Sequence, residues 1–97
     1  MTTTGTYFTD PGHGWLSVKR DELVRLKILD KITTYSYQKG DTVYLEEDCD
    51  MSTYAKAKEA IDGVKWKDLK MREEHTNEDS PIRDYDSFRM IRWVSRL

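Results

Sequence analysis

The sequence predicts an α+β domain: a small antiparallel sheet with two helices on one face, in the order ββαββαβ followed by a C-terminal arm. Two segments carry most of that expectation. Thr34-Tyr35-Ser36-Tyr37 and Thr42-Val43-Tyr44-Leu45 are β-branched and aromatic runs flanking Gln38-Lys39-Gly40-Asp41, the signature of a hairpin. Residues 50–63 place Tyr54, Ala57, Lys58 and Ile61 on one side of a helix that opens with Asp50 or Ser52 as its cap and stops at Gly63. The third observation is size: a chain of 97 residues, 37% apolar and 35% charged, fits one domain (residues 1–97) with a small core built from large side chains.

The elements follow in order. Residues 1–5 are expected to be a flexible N-terminus. Residues 6–19 read as two short strands around Asp10-Pro11-Gly12-His13-Gly14, where proline fixes φ and two glycines permit a tight turn. Asp21 and Glu22 then open a short helix carrying Leu23 and Leu26, expected to fray or kink over residues 27–30, where Ile28 and Leu29 are adjacent and the apolar stripe shifts. In the hairpin, alternation puts Tyr35 with Tyr37, Val43 with Leu45, and Tyr44 with Glu46. After the second helix, Val64 with Trp66 and Leu69 with Met71 suggest one strand, bulged near Lys67-Asp68. Residues 77–86 are rich in turn formers and read as an exposed loop. Residues 89–97 read as a basic arm or strand.

Charge excludes some function classes. Sixteen Lys and Arg against eighteen Asp and Glu give a net charge of -2, so no global field draws the chain to nucleic acid or an anionic membrane. The distribution is uneven: residues 41–63 hold seven acids and two bases, whereas residues 17–40 hold six bases and three acids. The pattern suits solvated faces, or an acidic surface set against a basic partner. The single Cys49 lies between Asp48 and Asp50, which oppose thiolate formation, and Met1-Thr2-Thr3-Thr4-Gly5 has neither a basic nor an apolar leader region. A reducing cytoplasm is the expected location, with no membrane partner.

Candidate chemistry is sparse. Asp10 and His13 share a turn, so a carboxylate could orient the imidazole as a general base; the flanking glycines favour a contact role for His13 instead. Glu46, Glu47 and Asp48, with Asp50, could gather oxygen ligands for a hard cation, but they lack the spacing of an EF-hand loop and read more simply as a solvated corner. No catalytic residue, metal or cofactor is expected. Ser80, Arg83 and Tyr85 surround Pro81 in a loop suited to carboxylate or phosphate, although Arg83 could equally close the loop on its neighbours. Arg89, Arg92 and Arg96 with Phe88 and Trp93 are the best candidates for nucleic-acid contact, a partner the net charge argues against.

Four motifs in this order, His13-Gly14-Trp15-Leu16, Tyr35-Ser36-Tyr37, Tyr44-Leu45-Glu46-Glu47-Asp48 with Asp50, and Ser80-x-Ile82-Arg83-x-Tyr85, resemble a small uncharacterised family of accessory proteins carried by phages and mobile elements. The resemblance runs from Tyr7 to Phe88. It departs at Lys27, where the family pattern has glycine, and in the basic tail. It implies no set activity. As a class, such proteins often bind and block host machinery, restriction and CRISPR effectors included. The expected function is therefore a stoichiometric binder or inhibitor of a host or phage protein, an anti-defence factor and not an enzyme; separately, the small apolar share and an exposed strand near either end suggest a homodimer. The expected contact residues are His13, Trp15, Tyr37, Glu46, Glu47, Asp48, Ser80, Arg83 and Tyr85. The alternative is a small-ligand or nucleotide-binding protein whose pocket gathers His13, Tyr37, Glu46 and Arg83. A further alternative is nucleic-acid binding through Arg89, Arg92, Trp93 and Arg96.

Overall fold

Strands β1 (Gly5–Thr9) and β2 (Gly14–Lys19) form the hairpin expected around residues 10–14, with Tyr7 opposite Leu16 and Phe8 opposite Trp15. The structure is a computed structural model and describes residues 5–90. Gly5 already belongs to β1, so the ordered sheet begins one residue inside the stretch expected to be a flexible terminus. Helix α1 (Arg20–Arg25) follows β2 directly. It ends at the anticipated place, because Lys27 takes φ 61° and a 3-10 turn follows at Leu29–Lys31. That left-handed backbone favours glycine, and Lys27 adopts it here with a side chain.

Strands β3 (Tyr37–Lys39) and β4 (Thr42–Glu46) make the second hairpin, with Tyr37 opposite Tyr44. β3 starts three residues later than the sequence suggests and takes in Gln38 and Lys39, which were expected in the turn. Residues 33–36 leave the sheet because Asp50 captures their polar groups: its carboxylate accepts from the Thr33 N–H, the Thr33 hydroxyl and the Ser36 hydroxyl. Tyr35 therefore does not share a strand face with Tyr37; it sits in a turn, 69% exposed. The same capture removes Asp50 as a helix cap. Helix α2 (Asp50–Asp62) starts after Cys49 with no side-chain cap and ends at Gly63. Its buried side chains are Asp50, Met51 and Tyr54, while Ile61, expected on the same side as Tyr54, faces outward.

The expected bulge at 67–68 is a 3-10 turn, Trp66–Asp68, and strand β5 (Met71–His75) follows it. β5 runs parallel to β1, from Gly5 opposite Met71 to Thr9 opposite His75. The sheet, in the order β5-β1-β2-β4-β3-β6, is therefore mixed rather than purely antiparallel. The path from β4 through α2 to the far edge is a crossover, which delivers a parallel neighbour. Strand β6 (Asp86–Ser87) pairs with β3 at the other edge. The loop expected to be exposed at 77–86 is not exposed throughout: Pro81–Asp84 form a 3-10 turn that buries Ser80 and Ile82.

One sheet face carries the core. Leu16 and Val18 of β2 lie opposite Leu45 and Val43 of β4, and onto them pack Leu23 and Leu26 from α1, Met51 and Tyr54 from α2, and Phe88. Both helices thus cover one face, as expected. They are joined through Glu22, which meets Arg25, Lys58 and the Tyr54 hydroxyl, and through Asp62, which meets Arg25 and Lys58. The opposite face presents Phe8, Tyr44, Trp15 and Tyr37, with Phe8 and Tyr85 packed on either side of Tyr44 at 6.0 and 5.2 Å. Arg92, Trp93 and Arg96 lie outside the described residues. Arg89 is exposed, its N–H donating to Gln38. No helix among the described residues is long and apolar enough to cross a membrane.

Candidate functional site: a cleft at one end of the sheet

The β1–β2 loop is organised by Asp10. Its carboxylate, with no side-chain exposure, accepts from the backbone N–H groups of Gly12, His13 and Ser80. It also accepts two bonds from the Arg83 guanidinium, at 2.6 and 2.8 Å. This bidentate pair ties the loop to the 81–84 turn, and Arg83 above all, with those backbone donors, holds the Asp10 carboxyl well below the usual carboxylate range. Asp10 does not orient the imidazole of His13: its acceptor capacity is spent on backbone and Arg83. The imidazole instead faces Glu46 of β4, with Nδ1 3.6 Å from Oε2.

Glu46 is a buried carboxylate on a fixed mount. Its Oε1 accepts from the N–H groups of Asp48 and Cys49, which turn the chain from β4 into α2, and its own N–H donates to the Ser36 hydroxyl. Beside it Glu47 accepts from the Tyr7 hydroxyl at 2.9 Å. Burial, then the Glu47 carboxylate, pushes the Tyr7 phenol up to about 12, so it stays a donor to Glu47 at any physiological pH. Gly14 is required under this pair, because a Cβ there would lie 2.4 Å from the Tyr7 oxygen. A Cβ at Gly12 would likewise crowd Arg83, lying 2.9 Å from Nη2. Burial, then the Glu46 carboxylate, raises the Cys49 thiol above its ordinary range and opposes a nucleophilic thiolate.

These loops enclose a cleft of about 320 Å³ lined by His13, Trp15, Tyr35, Tyr37, Glu46, Asp48, Cys49 and Arg83. Trp15 forms part of its wall, 2% exposed, with the Arg83 guanidinium 5.4 Å from its ring centre and His13 and Tyr37 6.0 and 6.4 Å away. The structure thus brings together seven of the nine expected contact residues: six in the cleft wall (His13, Trp15, Tyr37, Glu46, Asp48 and Arg83), with Glu47 alongside. Two do not join them. The Ser80 hydroxyl accepts from the Ile82 N–H and serves the turn, and Tyr85 stacks on Tyr44 beneath Lys39 on the open sheet face. Tyr35, Cys49, Tyr7 and Asp10 complete the site. Tyr7 and Asp10 take their places in it through Glu47 and Arg83, 40 and 73 residues away along the chain.

The electrostatics have a clear sign. Arg83 is matched by Asp10, which leaves Glu46, Glu47 and Asp48 at one end of the cleft. Among the described residues their one ion-pair neighbour is the imidazole of His13. Ligand atoms of His13, Glu46, Glu47 and Asp48 lie within 4.8 Å of one another. Comparison with family models, with curated proteins and with solved structures found no match to this chain.

Proposed function

We propose that the protein is a small-ligand-binding protein whose site is this cleft. The observation that carries the reading is the convergence of His13, Tyr37, Glu46 and Arg83, drawn from four separate segments, on one concave surface. The chemistry of the wall describes the ligand. Tyr35 and Tyr37 offer ring faces or edges to a planar group, and a polar rim fixes its orientation. With Arg83 matched by Asp10, the surplus carboxylates favour a ligand that is cationic, or an anion such as a nucleotide that arrives with a cation.

The test is a chemical-shift titration of the ¹⁵N-labelled protein with a panel of nucleosides, nucleotides with and without divalent cation, and aromatic amines. A binder should move the Trp15, Tyr35 and Tyr37 signals, and Tyr37→Ala should weaken it at least about tenfold, a loss near 1.4 kcal/mol. Shifts confined to other surfaces, or affinity unchanged in Tyr37→Ala, would refute the reading.

The second reading is the stoichiometric block of a host or phage protein, an anti-defence role in the host cytoplasm. Tyr35 supports it: a tyrosine 69% exposed at a cleft also lined by Trp15 and Arg83 matches the residue types that anchor protein interfaces. Expressed in a host carrying restriction or CRISPR defence, the protein should raise phage plating efficiency, and Tyr35→Ala should abolish the gain. Unchanged plating with the wild-type protein removes this reading.

A further inference from the structure

Aromatic rings and unmatched carboxylates share the wall of the cleft. Trp15 of β2 and Tyr37 of β3 stand with their ring planes 69° apart and their centres 6.4 Å apart, which makes a corner of two rings rather than a stack. Tyr35, two residues before Tyr37, adds a third ring to the lining and is 69% exposed. Glu46, opposite Trp15 in the β2–β4 ladder, and Asp48 bring two carboxylates to the same wall. Among the described residues of the lining, Arg83 is the one with a fixed positive charge, and its bidentate pair with Asp10 cancels it.

This combination selects one ligand chemistry. A cation is attracted to an aromatic face when it lies within about 6 Å of the ring centre. Centres 6.4 Å apart leave room for one cation within that reach of both Trp15 and Tyr37. The Trp15 ring already attracts a cation of the protein itself, the Arg83 guanidinium, 5.4 Å from its centre. A metal ion or a primary ammonium gains little from such a wall, because it would exchange a tight hydration shell for rings that offer no lone pairs. Free acceptors are also few: Oε1 of Glu46 is taken by the N–H groups of Asp48 and Cys49. An ammonium that carries methyl groups needs no such acceptors, since its charge lies under apolar surface that packs against rings.

We propose that Trp15, Tyr35 and Tyr37, with Glu46 and Asp48, form a cage for a methylated ammonium group, borne by a free small molecule or by a methylated lysine side chain. Buried Trp15 and half-buried Tyr37 are the fixed walls, and Tyr35 supplies the third ring from the solvent side. The inference rests on the cleft of the small-ligand reading and names the ligand class that fits it.

The experiment is a titration of the full ¹⁵N-labelled chain with choline at constant ionic strength, read from the amide signals of Trp15, Tyr35 and Tyr37. Saturable shifts at these three are expected. The neutral tert-butyl isostere of choline, with carbon in place of nitrogen, should bind at least about tenfold more weakly because it lacks the charge. Tyr35→Ala should weaken choline about threefold to fivefold and Tyr35→Phe should restore it, since the ring and not the hydroxyl makes the contact. Tyr35 is exposed, so neither change threatens the fold. Asp48→Asn should weaken choline by a similar factor, while Glu59→Gln on the exposed side of α2 leaves it unchanged. A peptide carrying trimethyllysine, set against its unmethylated form, identifies the source: methyl-dependent binding tighter than choline assigns a protein side chain, and weaker binding assigns a free ammonium compound. Non-saturable shifts, equal affinity for the neutral isostere, or choline affinity unchanged in Tyr35→Ala would overturn the proposal. A nucleotide or aromatic amine that moves the same signals when choline and the peptide do not removes the ammonium cage and leaves the small-ligand reading standing. Silence from all of these probes removes both.

Discussion

Asp50→Ala is expected to destabilise the protein by about 2–5 kcal/mol, the cost of leaving several buried donors without their acceptor. Asp50 is 1% exposed and accepts from the Thr33 N–H, the Thr33 hydroxyl and the hydroxyl of the fully buried Ser36. Removing the carboxylate strands these donors, each worth about 1–3 kcal/mol when left unsatisfied in a dry site. The effect reaches the cleft, because the Ser36 hydroxyl also accepts the N–H of Glu46, and residues 33–36 lead into Tyr37. Asp50→Asn keeps one acceptor oxygen and should lose less. Urea unfolding with an unchanged slope measures both variants. A loss in Asp50→Ala below about 1 kcal/mol, ordinary for a surface change, would mean that water replaces the network.

Acid should destabilise the protein as pH falls below about 4, the range in which unfolded carboxylates take up protons. The folded-state acidities of Asp10, Asp62 and Glu22 explain the sign. Arg83 above all lowers Asp10, and Arg25 and then Lys58 lower Asp62; burial works to raise Glu22, but Arg25 and Lys58 together outweigh it. Each group binds its proton more weakly folded than unfolded. Its contribution is therefore complete above the unfolded value and is lost as pH drops toward the folded one. Melting temperature measured between about pH 7 and pH 2 should fall steeply at the acid end. Asp10→Asn should start lower at neutral pH and fall less. Arg83→Ala should also melt below wild type while Lys39→Ala does not, because Arg83 holds Asp10 whereas Lys39 lies over the Tyr85 ring at the surface. An Asp10→Asn profile parallel to wild type would show that the Asp10–Arg83 pair is not what acid breaks.

What could be read locally was read correctly where the physics is local. Proline and two glycines between Thr9 and Trp15, alternating β-branched residues around Gly40, and Gly63 after the Tyr54 stripe specify two hairpins and a helix. The turn chemistry and periodicity of those elements act within a few residues. Both helices on one face also followed, from the order of strands and helices along the chain.

The rest was decided by pairs far apart in sequence. β5 joins β1 in parallel at a separation of 66 residues, as between Thr9 and His75, and the strand pattern of residues 71–75 is the same for either direction. Asp10 could have oriented His13 and Asp50 could have capped α2, since a carboxylate accepts from any donor within reach. Arg83, 73 residues from Asp10, and Ser36, 14 from Asp50, outcompete those local uses because burial removes water as a competitor and makes their bonds the ones that must be satisfied. The sequence by itself determined which residues carry chemistry and which segments turn, pair or coil. Only the tertiary structure decided which carboxylates become structural, Asp10 and Asp50, and which gather at the cleft, Glu46, Glu47 and Asp48. That division depends on where the remote donors arrive, and chain spacing holds no record of it.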